Sequence, residues 1–509
     1  MTFDVSTPDR KRTKSKLLSP ATSGKEARIV KFSLRELLQG AGARGPKGEV
    51  SVSGVNADSR AVAKGEAFFA VPGTKVHGNA FIADAVARGA VAIVTDERPA
   101  GDVGVPVITV RDVRAAYARA AARRYAPQPR TSVAVTGTNG KTSVASFVRQ
   151  IWRAAGLKAA SVGTIGIQTE SGLQPGSLTT PDPLTLHREL WALRRDGINH
   201  VALEASSHGL VQRRLDGISF AAVGFTNLTR DHMDFHPTMA DYLDAKLRLF
   251  RDLAADGAAA VINADDAEFP AFLGAALDRG LRLLTVGKEG AFFETGSIAR
   301  DGFGQRVKGR LVGEPVEFRL PLTGAFQVSN ALVALGLATS TGAPFEVALK
   351  ALGSLEGATG RMQRVWEDED AAIFVDYAHT PDALKNALES LRPYAKGKLT
   401  VVFGCGGDRD KGKRPEMGAI AKELADRVIV TDDNPRGEDA ATIRSEILVA
   451  ARGAEEIADR KRAITTAIST MGSRDVVLIA GKGHEDYQIV GSTKHHFSDH
   501  EVVAEALAR

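Results

Sequence analysis

The stretch VAVTGTNGKTSVASFVRQIW, residues 133–152, constrains the fold more than any other part of the chain. An apolar run at 131–136 reads as a buried strand. After it, Val144, Phe147, Val148 and Ile151 recur at i, i+3, i+4 and i+7, the spacing of an amphipathic helix. Gly156 is a natural stop for that helix. Between strand and helix lies Gly137, Thr138, Asn139, Gly140, Lys141, Thr142. Loop glycines here let backbone N–H groups close on phosphate oxygens, and the helix N-terminus adds positive potential. Lys141 would neutralise terminal phosphates and Thr142 would hold Mg²⁺. The spacing is short: two residues separate Gly137 from the Gly140–Lys141 pair, where the commonest phosphate loop has four. A tight strand–helix turn with a surface lysine is the rival reading.

Strands continue to alternate with helical stretches. HVALEA (200–205), AAVGFTN (221–227) and AAAVINA (258–264) read as strands of the same unit. AAIFVD (371–376), LTVVFG (399–404), RVIVTD (427–432) and DVVLIAG (475–481) read as strands of a further one. This pattern predicts α/β units with mainly parallel sheets. An earlier unit contains the short strands of GEAFFAVPG (65–73) and GAVAIVTD (89–96), with the helical spacing of NAFIADAVARGA (79–90) between them. It ends at APQPR (126–130), a stiff linker. At 509 residues the chain is too long for one core, and the boundaries fall at 30–130, 131–356 and 357–509.

Residues 1–29 precede these units as a polar, Ser/Thr/Lys-rich segment expected to be disordered. Arg10, Lys11, Arg12, Lys14, Lys16, Lys25 and Arg28 outnumber Asp4, Asp9 and Glu26 there. That segment carries most of the formal charge of +5, so the remainder is nearly neutral. A nucleic-acid-binding body is therefore not expected. No apolar run is long enough to cross a bilayer, and no signal-peptide core is present. Cys405 is the single cysteine, which excludes an internal disulfide framework and a multi-cysteine zinc site and fits a cytoplasmic protein.

Polar clusters follow the strands, where open α/β sheets place their ligands. Glu204 ends a strand and needs a partner for its charge, either a metal ion or a salt bridge. Asp231, His232, Asp234 and His236 crowd into six positions. That density favours a metal reading over four separate structural side chains. Lys246 lies among Leu243, Leu247 and Phe250, and by pattern alone it is a solvated or snorkelling lysine. Asp376 ends a strand, and Thr380 with Pro381 is a helix start; His379 just before it would face either a phosphate or only the cap. GCGGDRDKGKRPEMG carries Arg409, Lys411, Lys413 and Arg414 in a Gly-rich segment, either an anion site or a solvated charged loop. In TDDNPRGED, Arg436 beside Asp433, Asn434 and Pro435 suits both ends of an amino acid, the fork for a carboxylate and the acid and amide for an ammonium. Helix capping by Asn434 is its rival. GKGHEDYQ, with Gly481 and Glu485, is a second Gly-rich turn or a plain strand–helix connection.

Taken in order, TGTNGKTS, LEASSHGL, TNLTRDHMDFH, GAFQVSNAL, GRMQRV, DYAHTPDAL, GCGGDRDKGKRP, DDNPR and GKGHEDYQ resemble the Mur ligases from about residue 30 to 509. The resemblance implies a uridine-nucleotide-binding unit, a central P-loop-type ATPase unit and a C-terminal Rossmann-like unit, and it accounts for the short phosphate loop. It implies ATP with Mg²⁺, an acyl phosphate, and a monomer acting on UDP-N-acetylmuramoyl-L-alanyl-D-glutamate and meso-2,6-diaminopimelate. Gly137, Thr138, Asn139, Gly140, Lys141, Thr142, Asn330 and Arg361 match ATP positions. Thr142, Glu204, His232 and Lys246 match metal positions, Lys246 as a carbamate. Ser59, Thr179, Thr180, Ser206, Gln212 and Arg214 match positions for the muramoyl dipeptide. Arg409, Asp433, Asn434, Pro435, Arg436, Gly481 and Glu485 match those for the incoming amino acid. Gln327 stands where the family often has Asn. Alternatives are a lysine-adding ligase on this scaffold and a nucleotide-dependent binding module without ligase activity. Folylpolyglutamate synthetase is a related ligase, but DDNPR and the first unit argue against it.

Overall fold

The computed structural model describes residues 31–46, 48–73, 76–176 and 178–508, so the expected basic segment at 1–29 lies outside it. Three sheets organise the described chain. The first has four parallel strands in the order Val55–Asn56, Ala67–Phe69, Ala92–Thr95 and Val107–Thr109. The expected helical segment between the two middle strands is a 3₁₀ turn, Gly78–Phe81, running into the helix Ile82–Ala87.

The linker after this unit is pinned by one side chain. Gln128 Nε2 donates to His187 Nδ1 at 2.8 Å, and His187 Nε2 donates to the Asp216 carbonyl at 3.1 Å. Both ring nitrogens are satisfied only in the neutral form, and burial pushes this histidine down to about 4.

The central sheet has eleven strands, with Thr131–Thr136 between His200–Glu204 and Phe220–Phe225. Its middle is parallel as expected. Its margins are antiparallel, which the reading of a mainly parallel sheet did not anticipate. Gly166–Thr169 and Gly172–Gln174 extend one edge, and the meander Phe293–Asp301, Gly304–Leu311, Glu314–Leu320 extends the other. Much of this meander faces solvent, so its sequence lacks the continuous apolar runs of the inner strands.

Alternation within the inner strands sends residues to opposite layers. Val133 and Val135 join a core with the helices Lys141–Ala154 and Ala325–Thr339, while Ala134, Val201 and Leu203 join a second core with the helix Pro183–Arg195. Val144, Phe147, Val148 and Ile151 are fully buried in the first of these.

The third sheet runs Gln363–Asp368, Ala371–Asp376, Val476–Ala480, Leu399–Phe403, Arg427–Val430, Glu455–Glu456. Only its first strand is antiparallel to its neighbour. One residue of the central unit belongs to this core. Phe303, at the turn between two meander strands, is 6% exposed and packs with Phe374 and Tyr394, both at 6.1 Å between ring centroids. Among the described residues no helix is long and apolar enough to cross a membrane.

Candidate active site

Three parallel strands end side by side at the site: Glu204 is level with Val135, and Phe225 with Thr136. The phosphate loop leaves the middle strand and turns at Gly137 (φ +148°) and Gly140 (φ +85°). A Cβ at Gly137 would lie 1.9 Å from Thr226 Oγ1, and one at Gly140 would lie 2.2 Å from Asn330 Oδ1. Side chains are therefore excluded at both positions, and the two-residue spacing is a closed, fully braced turn. Asn227 Oδ1 accepts from the Asn139 N–H at 3.0 Å, and Thr226 donates to the Asn139 carbonyl at 2.6 Å.

Two lysines meet at the base of the loop. Lys141 Nζ donates to the carbonyls of Gly137 (2.8 Å) and Thr138 (2.7 Å), and Lys246 Nζ donates to the same Gly137 carbonyl at 2.7 Å. Lys246 is 1% exposed, so its helical spacing misled: it is neither solvated nor snorkelling. The helix Met239–Arg248 carries on into a π-turn, Leu249–Leu253, and this face of it packs against the loop. Burial drives the Lys246 ammonium well below its usual range, and Lys141 adds repulsion. Lys141 is also lowered by burial, with Glu204 opposing the shift.

Glu204 is 2% exposed. Its carboxylate accepts from the Thr164 N–H at 2.8 Å and the Thr164 hydroxyl at 3.0 Å, and among the described residues these take the place of the salt bridge considered for it. The run 231–236 does not close into a metal cluster of its own. Among the described residues no group of three or more His, Cys, Asp or Glu side chains is placed to hold a metal. Instead His208 stacks on Phe235 at 4.0 Å, with His232 and His236 at its edges. Burial lowers His208 to about 4, helped by His232 and His236. Burial also lowers His232, against the attraction of Asp231. Alternating aromatic and polar residues in this run pack on one another, which spacing alone does not reveal.

Thr138, Asn139, Gly140, Lys141, Thr142, Thr179, Glu204, Ser206, His232, Lys246 and Arg361 line one cavity of about 260 Å³. Gly140, Asn139 and Arg361 also line an adjoining cleft of about 820 Å³, which contains Asn330 and opens between the central and third sheets. Asn330 Nδ2 donates to Gln327 Oε1 at 3.2 Å, so the amide at 327 is fully buried beside the loop. Thr180, Gln212 and Arg214 form a bonded chain beyond Ser206. Thr180 Oγ1 is 3.0 Å from Ser206 Oγ, and Arg214 donates to the Thr180 carbonyl at 2.7 Å and to Gln212 Oε1 at 2.8 Å. Ser59 lies on a 3₁₀ turn, Ser59–Ala61, of the first unit and lines neither cavity.

The remaining predicted residues form a separate group on the third sheet. Arg436 has φ +51° and is tied through its N–H and carbonyl to Ile489 and Gly491. Its guanidinium donates to the Gly407 carbonyl at 2.9 Å. The helix-capping alternative for Asn434 does not occur: the next helix, Ala440–Leu448, is capped by Asp439. Asn434 Nδ2 donates to Glu485 Oε2 at 3.0 Å, and the Gly481 N–H donates to the Asp376 carbonyl at 3.1 Å. The basic run before them is not a single anion surface. Arg414 is fully buried between Glu438 and Glu446, and Lys411 pairs with Glu438. Lys413 donates to the His379 carbonyl, and Arg409 stays exposed beside its neighbour's carbonyl. Thr380 caps the helix Pro381–Leu391 as expected. Thr164, Ser143, Asn227 and Tyr242 escaped the sequence reading; only Asn227, just after a strand, carried a usable signal.

Comparison with known proteins follows this geometry closely. Residues 51–125 match the Mur ligase family catalytic domain, 135–338 the Mur ligase middle domain and 360–483 the Mur ligase glutamate ligase domain. The chain belongs to the Mur ligase family. Among its relatives, it is 54% identical over 462 residues to the UDP-N-acetylmuramoyl-L-alanyl-D-glutamate–2,6-diaminopimelate ligase of Agrobacterium fabrum, covering 91% of this chain and 94% of that one. To the protein of the same name from Bradyrhizobium diazoefficiens it is 55% identical over 463 residues, covering 90% and 95%. A solved structure of a ligase of that name superposes with a TM-score of 0.69 at 32% identity, covering 94% of this chain and 99% of the other.

Proposed function

We propose that the chain is an ATP-dependent amide ligase of peptidoglycan precursor synthesis. It joins meso-diaminopimelate to the D-glutamyl γ-carboxylate of UDP-N-acetylmuramoyl-L-alanyl-D-glutamate in the cytoplasm. The observation that carries this reading is the single cavity in which Lys141, Thr142, Glu204, His232 and Lys246 meet Thr179 and Ser206. Phosphate-handling residues and residues for a second substrate share one wall.

A γ-carboxylate oxygen attacks the γ-phosphorus of ATP, and ADP leaves. The amine nitrogen attacks the resulting acyl phosphate, loses a proton, and inorganic phosphate departs with its oxygen. The protein's part is positioning and charge neutralisation. Lys141 and the loop N–H groups hold phosphate oxygens, Asn330 and Arg361 hold the rest of the nucleotide from the larger cleft, and Thr179, Thr180, Ser206, Gln212 and Arg214 orient the dipeptide. Ser59 serves the uridine nucleotide from the unit at 30–130.

The buried Glu204 carboxylate and Thr142 hydroxyl are hard oxygen donors, which suits Mg²⁺, with His232 completing the set. Bound there, Mg²⁺ would neutralise charge on the transferring phosphoryl group. Burial lowers the pKa of Lys246 and so favours its neutral amine, the form that reacts with CO₂. Carbamylation would turn Lys246 from a buried donor into an oxygen ligand. Arg436, with Arg409, Asp433, Asn434, Pro435, Gly481 and Glu485, receives the amino acid.

Phosphate release in the presence of ATP, the muramoyl dipeptide and either meso-diaminopimelate or lysine tests the reading. Diaminopimelate is expected to win, because lysine leaves Arg436 without a carboxylate, a loss on the order of 2–5 kcal/mol. Arg436→Ala should erase that preference. A wild-type preference for lysine refutes the assignment.

A further inference from the structure

Lys482 has no exposed side-chain surface. A buried ammonium is costly unless it is paired and hydrogen-bonded. Its Nζ lies 3.2 Å from Glu485 Oε2 and 3.3 Å from Asn434 Oδ1. Asn434 returns a bond from Nδ2 to the same Glu485 oxygen at 3.0 Å, and its Oδ1 also accepts from the Ile489 N–H at 2.9 Å. Glu485 Oε2 is thus doubly engaged from inside the protein. Among the described residues Oε1 meets only the Tyr487 hydroxyl, at 3.4 Å. The nearby Arg460 does not compete for this carboxylate, because it is buried in a pair with Asp499 and donates to the Ala480 carbonyl.

We propose that Lys482 is the positioning residue of the amino-acid pocket, locking one Glu485 oxygen inward so that the other faces the ligand and cancelling the charge of that acid. Asp433 and Glu485 then stand against Arg436 and Lys482, two acids against two bases, none of them exposed, with the exposed Arg409 outside this balance. That balance fits a ligand end carrying both an ammonium and a carboxylate, and it disfavours an end carrying an ammonium alone. The inference rests on the amino-acid assignment above and adds to it a residue that never touches the ligand.

The test is steady-state kinetics of Lys482→Met and Lys482→Gln, with Glu485→Gln and the Lys482→Met/Glu485→Gln double variant. In both Lys482 variants the KM for meso-diaminopimelate should rise about tenfold or more, roughly 1.4 kcal/mol, while the KM values for ATP and the muramoyl dipeptide stay put. The ratio of kcat/KM for diaminopimelate over lysine should fall, because Asp433 and Glu485 then outnumber the bases among those four positions. The double variant should be no worse than the poorer single variant, the sign of two groups acting as a pair. An unchanged KM for diaminopimelate, additive losses, or all three KM values rising together with a lower melting temperature would overturn the proposal. A wild-type enzyme preferring lysine would instead refute the diaminopimelate assignment, and the double-variant cycle would still report whether Lys482 and Glu485 act together.

Discussion

Phe303→Ala should loosen the third sheet and leave the central one intact. Phe303 sits in the chain of the central unit, yet it is 6% exposed within the core of Phe374, Leu384 and Tyr394. A buried Phe removes roughly 150–250 Å² from water, which at about 25 cal/mol per Å² is roughly 4–6 kcal/mol as an upper bound. Truncations of this kind cost about 3–5 kcal/mol. The low end, about 3 kcal/mol, applies because a hairpin turn can settle partly into the space it vacates. The turn itself should persist, since the Phe303 carbonyl still accepts from Thr323 Oγ1 and Gln305 still donates to Leu322 and Gly324. Hydrogen exchange read by mass spectrometry separates the units. Amides of Ala371–Asp376 and Val476–Ala480 should lose roughly a hundredfold in protection, and those of Thr131–Thr136 should change little. Phe303→Leu, which keeps most of the volume, should cost under about 1.5 kcal/mol. A loss below about 1 kcal/mol for the alanine variant, or equal losses in both sheets, would refute the assignment of Phe303 to the third core.

Further expectations concern the loop, the buried lysine and the linker. Gly140→Ala forces a methyl to within 2.2 Å of Asn330 Oδ1 at a left-handed φ of +85°, so the KM for ATP should rise about tenfold or more with the amino-acid KM unaffected. Lys246→Ala should lower turnover at least about a hundredfold, and ¹³C-bicarbonate should give a carbamate resonance in wild type that the variant lacks; undiminished turnover would end the carbamate hypothesis. His187 is held neutral, at about 4 against an ordinary 6.5, so the unfolded chain takes up this proton first as pH falls. Its contribution is complete above about pH 6.5, shrinks between there and about 4, and is worth at most roughly 3 kcal/mol. Denaturation of His187→Gln at pH 7 and pH 4.5 should show a smaller acid-induced loss than wild type, and parallel losses in both proteins would contradict this.

The inner strands and the phosphate loop were legible because continuous apolar runs and glycines announce themselves locally. Val144, Phe147, Val148 and Ile151 marked one helix face and all four are buried. Lys246 was not legible, because its burial depends on a loop more than a hundred residues earlier that folds over it. The meander from Phe293 to Leu320 was missed because a half-exposed edge leaves little periodicity. Asp231, Asp234 and His236 looked like metal donors because closeness in sequence does not fix direction, and here the histidines turn toward Phe235 and one another. Lys482 lies within GKGHEDYQ, but only burial against Glu485 distinguishes it from an ordinary turn lysine.

The phosphate loop occupies its own lysine. Lys141 is already bonded to two loop carbonyls, so an incoming anion must exchange those bonds and gains only the difference. A free phosphate ion offers three or four oxygens and little else, and that difference is small. A nucleotide adds contacts along the whole adjoining cleft and can meet the cost many times over. A lysine braced in this way favours an anion that also reaches into the adjoining cleft over a bare one.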